Sequence, residues 1–528
     1  MSLPKESISW FNPAIALAAS LILPTTYCIF RPRLNMLGLF SIKKVTPAAA
    51  VDSLDLQEIS RALQEGIFTS EDLLYLSRIS QVNDHVRAVG CINPDAKSIA
   101  LQRDQERRNS HVYRPLHGIP FLVKDTFITL DQMDTTGGSY ALVGAKYKLE
   151  STLTTKLRDA GAILLGKTNL SEWGMSRSSN CKSGWSPLYG QAVGGFYEDQ
   201  DPQGSSSGSA IAVSLKLASF AIGGETCGSI LYPAQKNGVI GLKPTPGLTS
   251  RAGTIPINPE QDSVGPLTQY VKDSAIILNA ITGQDSHDSA TNNIPFKEIP
   301  DYQFGCQKDA LRGVRVAVPK SVYGIADSDS DPEVGIAFRN AVSQFRGLGA
   351  IIIDEVDFEH WKPRTGQQED LFGDVLLREA LNEFFEEVVK SPPGVEKLES
   401  LGTDQIHRVS EEFLASKARM EFLGDDVARL LDQYQCDTVL ATSSTDLPLD
   451  LGRLPGIQIP LGFYSAECEV VRNLKGMVTK APNIPYGITL TGRRFSEEKL
   501  IACAYAFEQA TLTVRQNEER LFFKQHLG

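Results

Sequence analysis

Lys124 stands at the end of an apolar run, Ile119 to Val123 (IPFLV), and is followed by Asp125. Burial at such a place disfavours a charged amine, and a neutral lysine is a base. The competing reading is an exposed strand-end lysine paired with a carboxylate. Further on, Gln203 to Ala210 reads QGSSSGSA, and apolar residues follow at once (Ala210, Ile211, Ala212, Val213, Leu215). A Gly/Ser stretch can be a flexible linker, but a helix starting here would leave free backbone N–H groups over the serines, where an anion or oxyanion fits. A second glycine-rich turn, Ile222 to Ala234 (IGGETCGSILYPA), holds Ser229 directly after Gly228. Small neighbours leave room for a substrate carbonyl and for main-chain donors. Taken singly, each stretch also fits an ordinary turn. Together they offer a base, hydroxyls and backbone donors, which is the equipment of nucleophilic catalysis.

Two further motif matches carry less. Gly161 to Thr168 reads GAILLGKT and fits the phosphate-loop pattern. That loop needs flexible amides curled round phosphates, and here the middle is Ala-Ile-Leu-Leu, a buried strand between a helix-ending and a strand-ending glycine. Asn169-Leu170-Ser171 fits the glycosylation acceptor pattern, which has no meaning for a cytosolic chain.

These groups must be positioned by the elements around them. Leu54, Ile59 and Leu63 lie near helical spacing with Gly66 as a stop, and Ser70 is expected to cap a second stretch, Glu71 to Ile79. A third helix follows Asn93-Pro94 and runs through Gln102 to Arg108. Ile119 to Val123 reads as a buried strand, Ser151 to Ala160 as a helix with Leu153 and Leu157 inward, and Ala162 to Leu165 as the next strand. Further strands are expected at Val239 to Lys243, Val314 to Val318, Ala350 to Asp354, Thr438 to Ala441 and Gly487 to Leu490. Asp370 to Gln435 reads as mostly helical, and Ser496 to Thr513 as a closing helix. Alternating strands and helices predict an α/β fold, a mixed, twisted sheet with helices on both faces. Without a linker or repeat, residues 51–528 read as one large domain and 1–50 as an N-terminal extension.

The chain has 528 residues, 42% hydrophobic and 22% charged, which excludes disordered, collagen-like and coiled-coil classes. Its net charge of -11, with no long basic run, argues against nucleic acid as a partner. The eight cysteines show no CxxC spacing and do not read as a disulfide framework, which fits a reducing compartment. The seven histidines show no HExxH, so a zinc site has little support.

The three reactive stretches, in order, resemble the amidase signature family. That family has a strand ending in Lys-Asp, then a Gly-Ser-Ser run, then a GxSI turn. This chain supplies GIPFLVKD (Gly118 to Asp125), GSSSGSA (Gly204 to Ala210) and GETCGSI (Gly224 to Ile230). Ser205 and Ser229 are 24 residues apart, the family's interval between its two serines. TTGGSYAL (Thr135 to Leu142), GKTNLSEW (Gly166 to Trp173), NGVIGLKPT (Asn237 to Thr245) and AYAFEQAT (Ala504 to Thr511) extend the resemblance from about Leu54 to Thr513.

The resemblance implies a Ser–Ser–Lys triad that hydrolyses a linear carboxamide to an acid plus ammonia or amine. Ser229 would be the nucleophile that becomes acylated. Ser205, whose peptide bond is cis in the family, would bridge, and Lys124 would be the base. Main-chain amides of Thr226, Cys227, Gly228 and Ser229, beside Ser205, would hold the oxyanion. No metal or organic cofactor is implied; the expected partner is a small-molecule amide. Leu231 stands where many members have Arg, Cys227 where many have Asp or a small residue, and Thr126 where Asn is frequent. These departures bear on the substrate side, and the motif looks more like the stand-alone and peptide-amidase branch than the glutamyl-tRNA amidotransferase A subunit. A fatty-acid-amide type membrane enzyme, an amidotransferase subunit and a non-catalytic or biosynthetic accessory relative remain alternatives. Cys227 as nucleophile would need a thiolate-stabilising partner, and no nearby histidine suggests one. Substrate-pocket residues are expected between Gly174 and Tyr197 and in Gln368 to Gln435.

Ser7 to Phe30 carries no charge and centres on AIALAASLIL (Ala14 to Leu23), long enough to cross a bilayer. Pro24 and Thr25-Thr26 weaken a spanning helix, and Lys5 is offset by Glu6. Membrane association, a cleaved signal and a helix packed on the protein all stay open. The basic flank (Arg31, Arg33, Lys43, Lys44) would place the catalytic part on the cytosolic side, with secretion disfavoured. A homodimer is left open as well.

Overall fold

The computed structural model describes residues 53–110, 114–178, 180–322, 331–361, 371–391, 408, 410–443 and 447–513. The apolar segment 7–30 lies outside them. Among the described residues no helix is long and apolar enough to cross a membrane.

An eleven-stranded mixed sheet runs through the molecule. In chain order its strands are β1 (Val89–Ile92), β2 (Pro120–Lys124), β3 (Ile163–Thr168), β4 (Phe220–Glu225), β5 (Ile240–Lys243), β6 (Ser263–Thr268), β7 (Arg315–Pro319), β8 (Ile351–Val356), β9 (Thr438–Ala441), β10 (Gly456–Phe463) and β11 (Pro485–Thr491). The spatial order is β1-β3-β2-β4-β6-β5-β10-β11-β9-β7-β8. β3, β2 and β4 are mutually parallel, as are β9, β7 and β8. The strands between the two groups pair antiparallel.

Every residue of β2 is buried, and successive side chains go to opposite faces. Phe121 and Val123 join Phe220 and Ile222 in one core, under Leu153, Leu157, Ala275 and Phe507 from the helices Thr152–Asp159, Val271–Ile281 and Glu497–Thr511. Leu122 joins Ile163, Leu165 and Ala221 in a second core, under Val82, Ala100, Ile211 and Val213 from the helices Leu76–Val86, Ala96–Ser110 and Ser207–Ser214. This is the α/β/α layering expected from the alternation. The Phe121 and Phe220 rings stack at 5.3 Å, and each such burial contributes about 1.5–3 kcal/mol.

The helix Ser207–Ser214 is buried along its whole length, which explains why its sequence is apolar without a polar face. It crosses over from β3 to the parallel β4, so the serine run falls at the carboxyl ends of those strands. Ligands bind at that edge in open α/β sheets.

Two local expectations change. Glu71 to Ile79 is not one helix: a short turn, Asp72–Leu74, is separated from the helix Leu76–Val86 by Tyr75 at φ 53°. Ser70 does not cap it, because its hydroxyl accepts from Arg107 at 2.7 Å. The glycine-rich stretch from Ile222 is not all turn either. Its first four residues belong to β4, and the turn is confined to the residues between Glu225 and the helix Leu231–Lys236. Glycine is required inside that strand, since a Cβ on Gly223 would lie 2.8 Å from Ser206 Oγ.

Candidate active site

β2 ends on Lys124 and delivers its amine below the carboxyl end of β4. The Nζ donates to Ser205 Oγ at 2.7 Å and to the Gly224 carbonyl at 2.9 Å. Ser205 Oγ in turn donates to Ser229 Oγ at 3.0 Å. The three predicted residues therefore form one continuous chain of hydrogen bonds, although they come from a strand end, a loop before a helix and a loop after a strand. All three are buried. The Gly204–Ser205 peptide is cis. The two serine loops are joined further by Ser206 N–H donating to the Ser229 carbonyl at 3.1 Å.

Lys124 does not pair with its sequence neighbour. Asp125 faces the opposite way and meets Lys167 of β3 at 3.7 Å, with neither side chain exposed. Asp125 also accepts from Tyr189 O–H at 3.0 Å and from the amide of Thr136 at 3.2 Å. Lys167 donates to the Phe127 carbonyl at 3.1 Å and to Thr135 Oγ1. The lysine of the apparent phosphate loop is thus committed to a buried pair, and all of β3 is buried. Asn169 is equally unavailable as a sugar acceptor, since it is buried and its amide donates to the Arg87 and Gly190 carbonyls.

Burial pushes the Lys124 amine down to about 7, against the opposing pull of Asp262 and Glu225. A neutral amine is therefore accessible near neutral pH, and it can accept a proton passed along the two hydroxyls.

The loop that carries Ser229 is hung on Glu225. This carboxylate accepts from the amides of Ile230 at 2.6 Å and Leu231 at 2.9 Å, and it also draws the Gly228 N–H. Gly228 turns the loop at φ 74°, where a Cβ would strike the Tyr232 ring. Thr226 donates its hydroxyl to Asp262, and Cys227 is exposed. Leu231, at the position where an arginine was expected in relatives, is fully buried in the larger core.

A cavity of about 310 Å³ opens beside this chain of residues, lined by Lys124, Thr126, Gly224, Thr226, Asp262 and Phe384 among others. The expected helical segment contributes to its wall through Ala380, Glu383, Glu387 and Val388. The described residues of Gly174 to Tyr197 do not line it. The stretch Arg251 to Ile257 does, and sequence reading missed it, as it missed Asp262. The sequence carries no cue that singles out Asp262, since the strand it precedes, SVGPLT, contains glycine and proline.

The residues 73–386 match the family model described as Amidase. A putative amidase of Arthroderma benhamiae is 38% identical over 86% of this chain and 85% of its own length. A probable amidase of Arabidopsis thaliana is 33% identical over 89% of this chain and 92% of its own. Among solved structures, the native peptide amidase from Stenotrophomonas maltophilia superposes with a TM-score of 0.76 at 31% identity, covering 89% of this chain and 98% of that one. With a family match that takes in Lys124 and both serine loops, and relatives aligned over most of the chain, the chain belongs to the amidase signature family and is a hydrolase of amides.

Proposed function

We propose that this enzyme cleaves a carboxamide to a carboxylic acid plus ammonia or amine by the Ser229–Ser205–Lys124 relay. The observation that carries this reading is the unbroken hydrogen-bond chain from Ser229 Oγ to Lys124 Nζ. Ser229 Oγ attacks the amide carbon. Its proton moves to Ser205 Oγ as the Ser205 proton moves to Lys124, which becomes an ammonium. The negative charge that develops on the carbonyl oxygen is met by the main-chain amides of Thr226, Cys227, Gly228 and Ser229, with Gly228 shared with Glu225. One such donor typically contributes about 3 kcal/mol to lowering the barrier. The relay then runs backward, the leaving nitrogen takes the proton and the C–N bond breaks. Water hydrolyses the acyl-Ser229 ester by the same route.

The buried Leu231 favours a stand-alone enzyme, since the position offers no guanidinium to a carboxylate substrate. The likeness to a peptide amidase supports the same branch. Residues 51–528 carry the activity as one domain, and 7–30 bring it to a membrane with the basic flank on the cytosolic side.

The test is to react the protein with an activated ester, quench, and map the acylated peptide by mass spectrometry. The adduct is expected on Ser229 and absent in Ser229→Ala. An adduct on Cys227 that persists in Ser229→Ala would overturn the assignment.

A further inference from the structure

We propose that Asp262 is a positioning residue for this reaction: its carboxylate fixes Thr226 in the Ser229 loop and supplies the counter-charge to the ammonium that Lys124 becomes. The proposal rests on Lys124 being the base. Asp262 immediately precedes β6, which pairs with β4 through Ser263 and Glu225. This register sets its side chain against the loop that follows β4. One oxygen accepts from Thr226 Oγ1. The other accepts from the amides of Ile257 at 2.8 Å and Asn258 at 3.0 Å. The carboxylate therefore ties the cavity wall at Ile257 to the loop that bears Ser229, and it lines the same cavity as Lys124.

The other charges near Lys124 are engaged elsewhere. Glu225 already holds the amides of Ile230 and Leu231 and is opposed by Lys243. Arg251 is bound to Asp288 through Nε at 2.9 Å and Nη2 at 2.6 Å. Asp125 is turned to Lys167. His287, Glu383 and Glu387 also line the cavity but are exposed, where water screens them. Asp262 is left as the buried anion whose hydrogen-bond partners are an uncharged hydroxyl and two amides, while Arg251, itself bound to Asp288, also favours its charged form. Its pull on Lys124 favours the charged amine. In the resting enzyme that pull is opposed by burial. When Ser229 attacks, the same field stabilises the lysine in its protonated form.

Asp262→Asn separates charge from shape. The new amide oxygen can still accept from the two N–H groups, and its NH2 can donate to Thr226 Oγ1, so each contact keeps a partner. The experiment is the pH dependence of kcat/KM on an amide, for wild type, Asp262→Asn and Asp262→Ser. The serine variant also removes the charge, should the amide variant not fold, and melting curves establish which proteins are folded. Loss of the anion lowers the basicity of Lys124, so the acid limb should move to lower pH by about one unit. The plateau should fall by up to about tenfold, because the protonated lysine has lost its counter-charge. Thr226→Val removes the hydroxyl but leaves the carboxylate, so it should lower the plateau with the limb in place. A purely structural role predicts a lower plateau with an unmoved limb in the charge-removing variants, and that outcome overturns the proposal. If the residual activity of Lys124→Ala shows the wild-type limb, the lysine is not the titrating base. The relay reading then falls first, whatever Asp262 does.

Discussion

Lys167 and Asp125 face each other across 3.7 Å at the carboxyl ends of two neighbouring parallel strands, and neither is exposed. One turns a phosphate-loop look-alike into part of the sheet's interior. The other is freed from pairing with Lys124. Removing one member of such a pair leaves an uncompensated buried charge, which typically costs about 3–5 kcal/mol. Lys167→Ala should therefore lower stability by about that amount in urea unfolding. ATP should not shift the melting temperature of the wild type. A nucleotide-dependent rise that this substitution abolishes would contradict the buried-pair assignment.

The relay should separate two kinds of substrate. Ser229→Ala should remove nearly all activity on amides and esters, since no other group takes the acyl chain. Lys124→Ala and Ser205→Ala should reduce amide turnover by at least about 10²–10⁴-fold. Both should spare ester turnover more, because an alkoxide or phenoxide leaves with less need of a proton than an amine does. Steady-state kinetics on a matched anilide and ester pair measures this. Equal loss on both substrates, in a folded variant, would leave Lys124 without the selective proton-relay role.

The pH profile carries the sign of the lysine's burial. An ordinary lysine is charged below about pH 10 and would be a useless base at neutrality. Here the amine titrates at about 7, so the accepting form is present above that value and lost below it. In the wild type, kcat/KM should be level on the alkaline side and fall towards tenfold per pH unit on the acid side, with a midpoint near 7. A profile that stays flat down to pH 5 would show that some other group takes the proton.

Deletion of residues 1–45 should release the protein from membranes with its amidase activity retained. The motivating feature is the uncharged stretch Ser7 to Phe30. Fractionation of full-length and shortened protein, each assayed for activity, is the measurement. A full-length protein that stays in the supernatant would remove the case for an anchor. A shortened protein that fails to fold would instead support a helix packed on the enzyme.

Legibility in the sequence followed the physics of each element. Continuous apolar runs such as Phe121 to Val123 and Ala162 to Leu165 show a strand buried on both faces, and the structure has strands there. β4 (FAIGGE), β6 (SVGPLT) and β10 (GIQIPLGF) were hidden, because glycine and proline inside a strand read as turns. In β4 the glycine exists to let Ser206 approach the backbone, a reason visible only with the fold in hand. That Lys124, Ser205 and Ser229 come together was legible because motif and interval single them out, and the structure joins them by hydrogen bonds. Asp262 was not, since its place beside Thr226 is set by the pairing of β4 with β6, and pairing between distant strands leaves no local trace.

Two parts of the cavity lining have different origins, and this has a consequence for how such an enzyme diversifies. One part is made of strand ends: Lys124, Gly224 and Glu225 are held by main-chain pairing inside the sheet, and Thr226 and Asp262 directly adjoin it. The other is the end of a helix, from Ala380 to Val388, which stands outside the eleven-stranded ladder. On the proposed reading, mutations accumulating on the helical side would alter which acyl groups are accommodated without touching the Ser229–Ser205–Lys124 hydrogen bonds. Inheritance of chemistry and inheritance of selectivity are thereby uncoupled, so descendants of one ancestor can exchange diets while keeping one reaction.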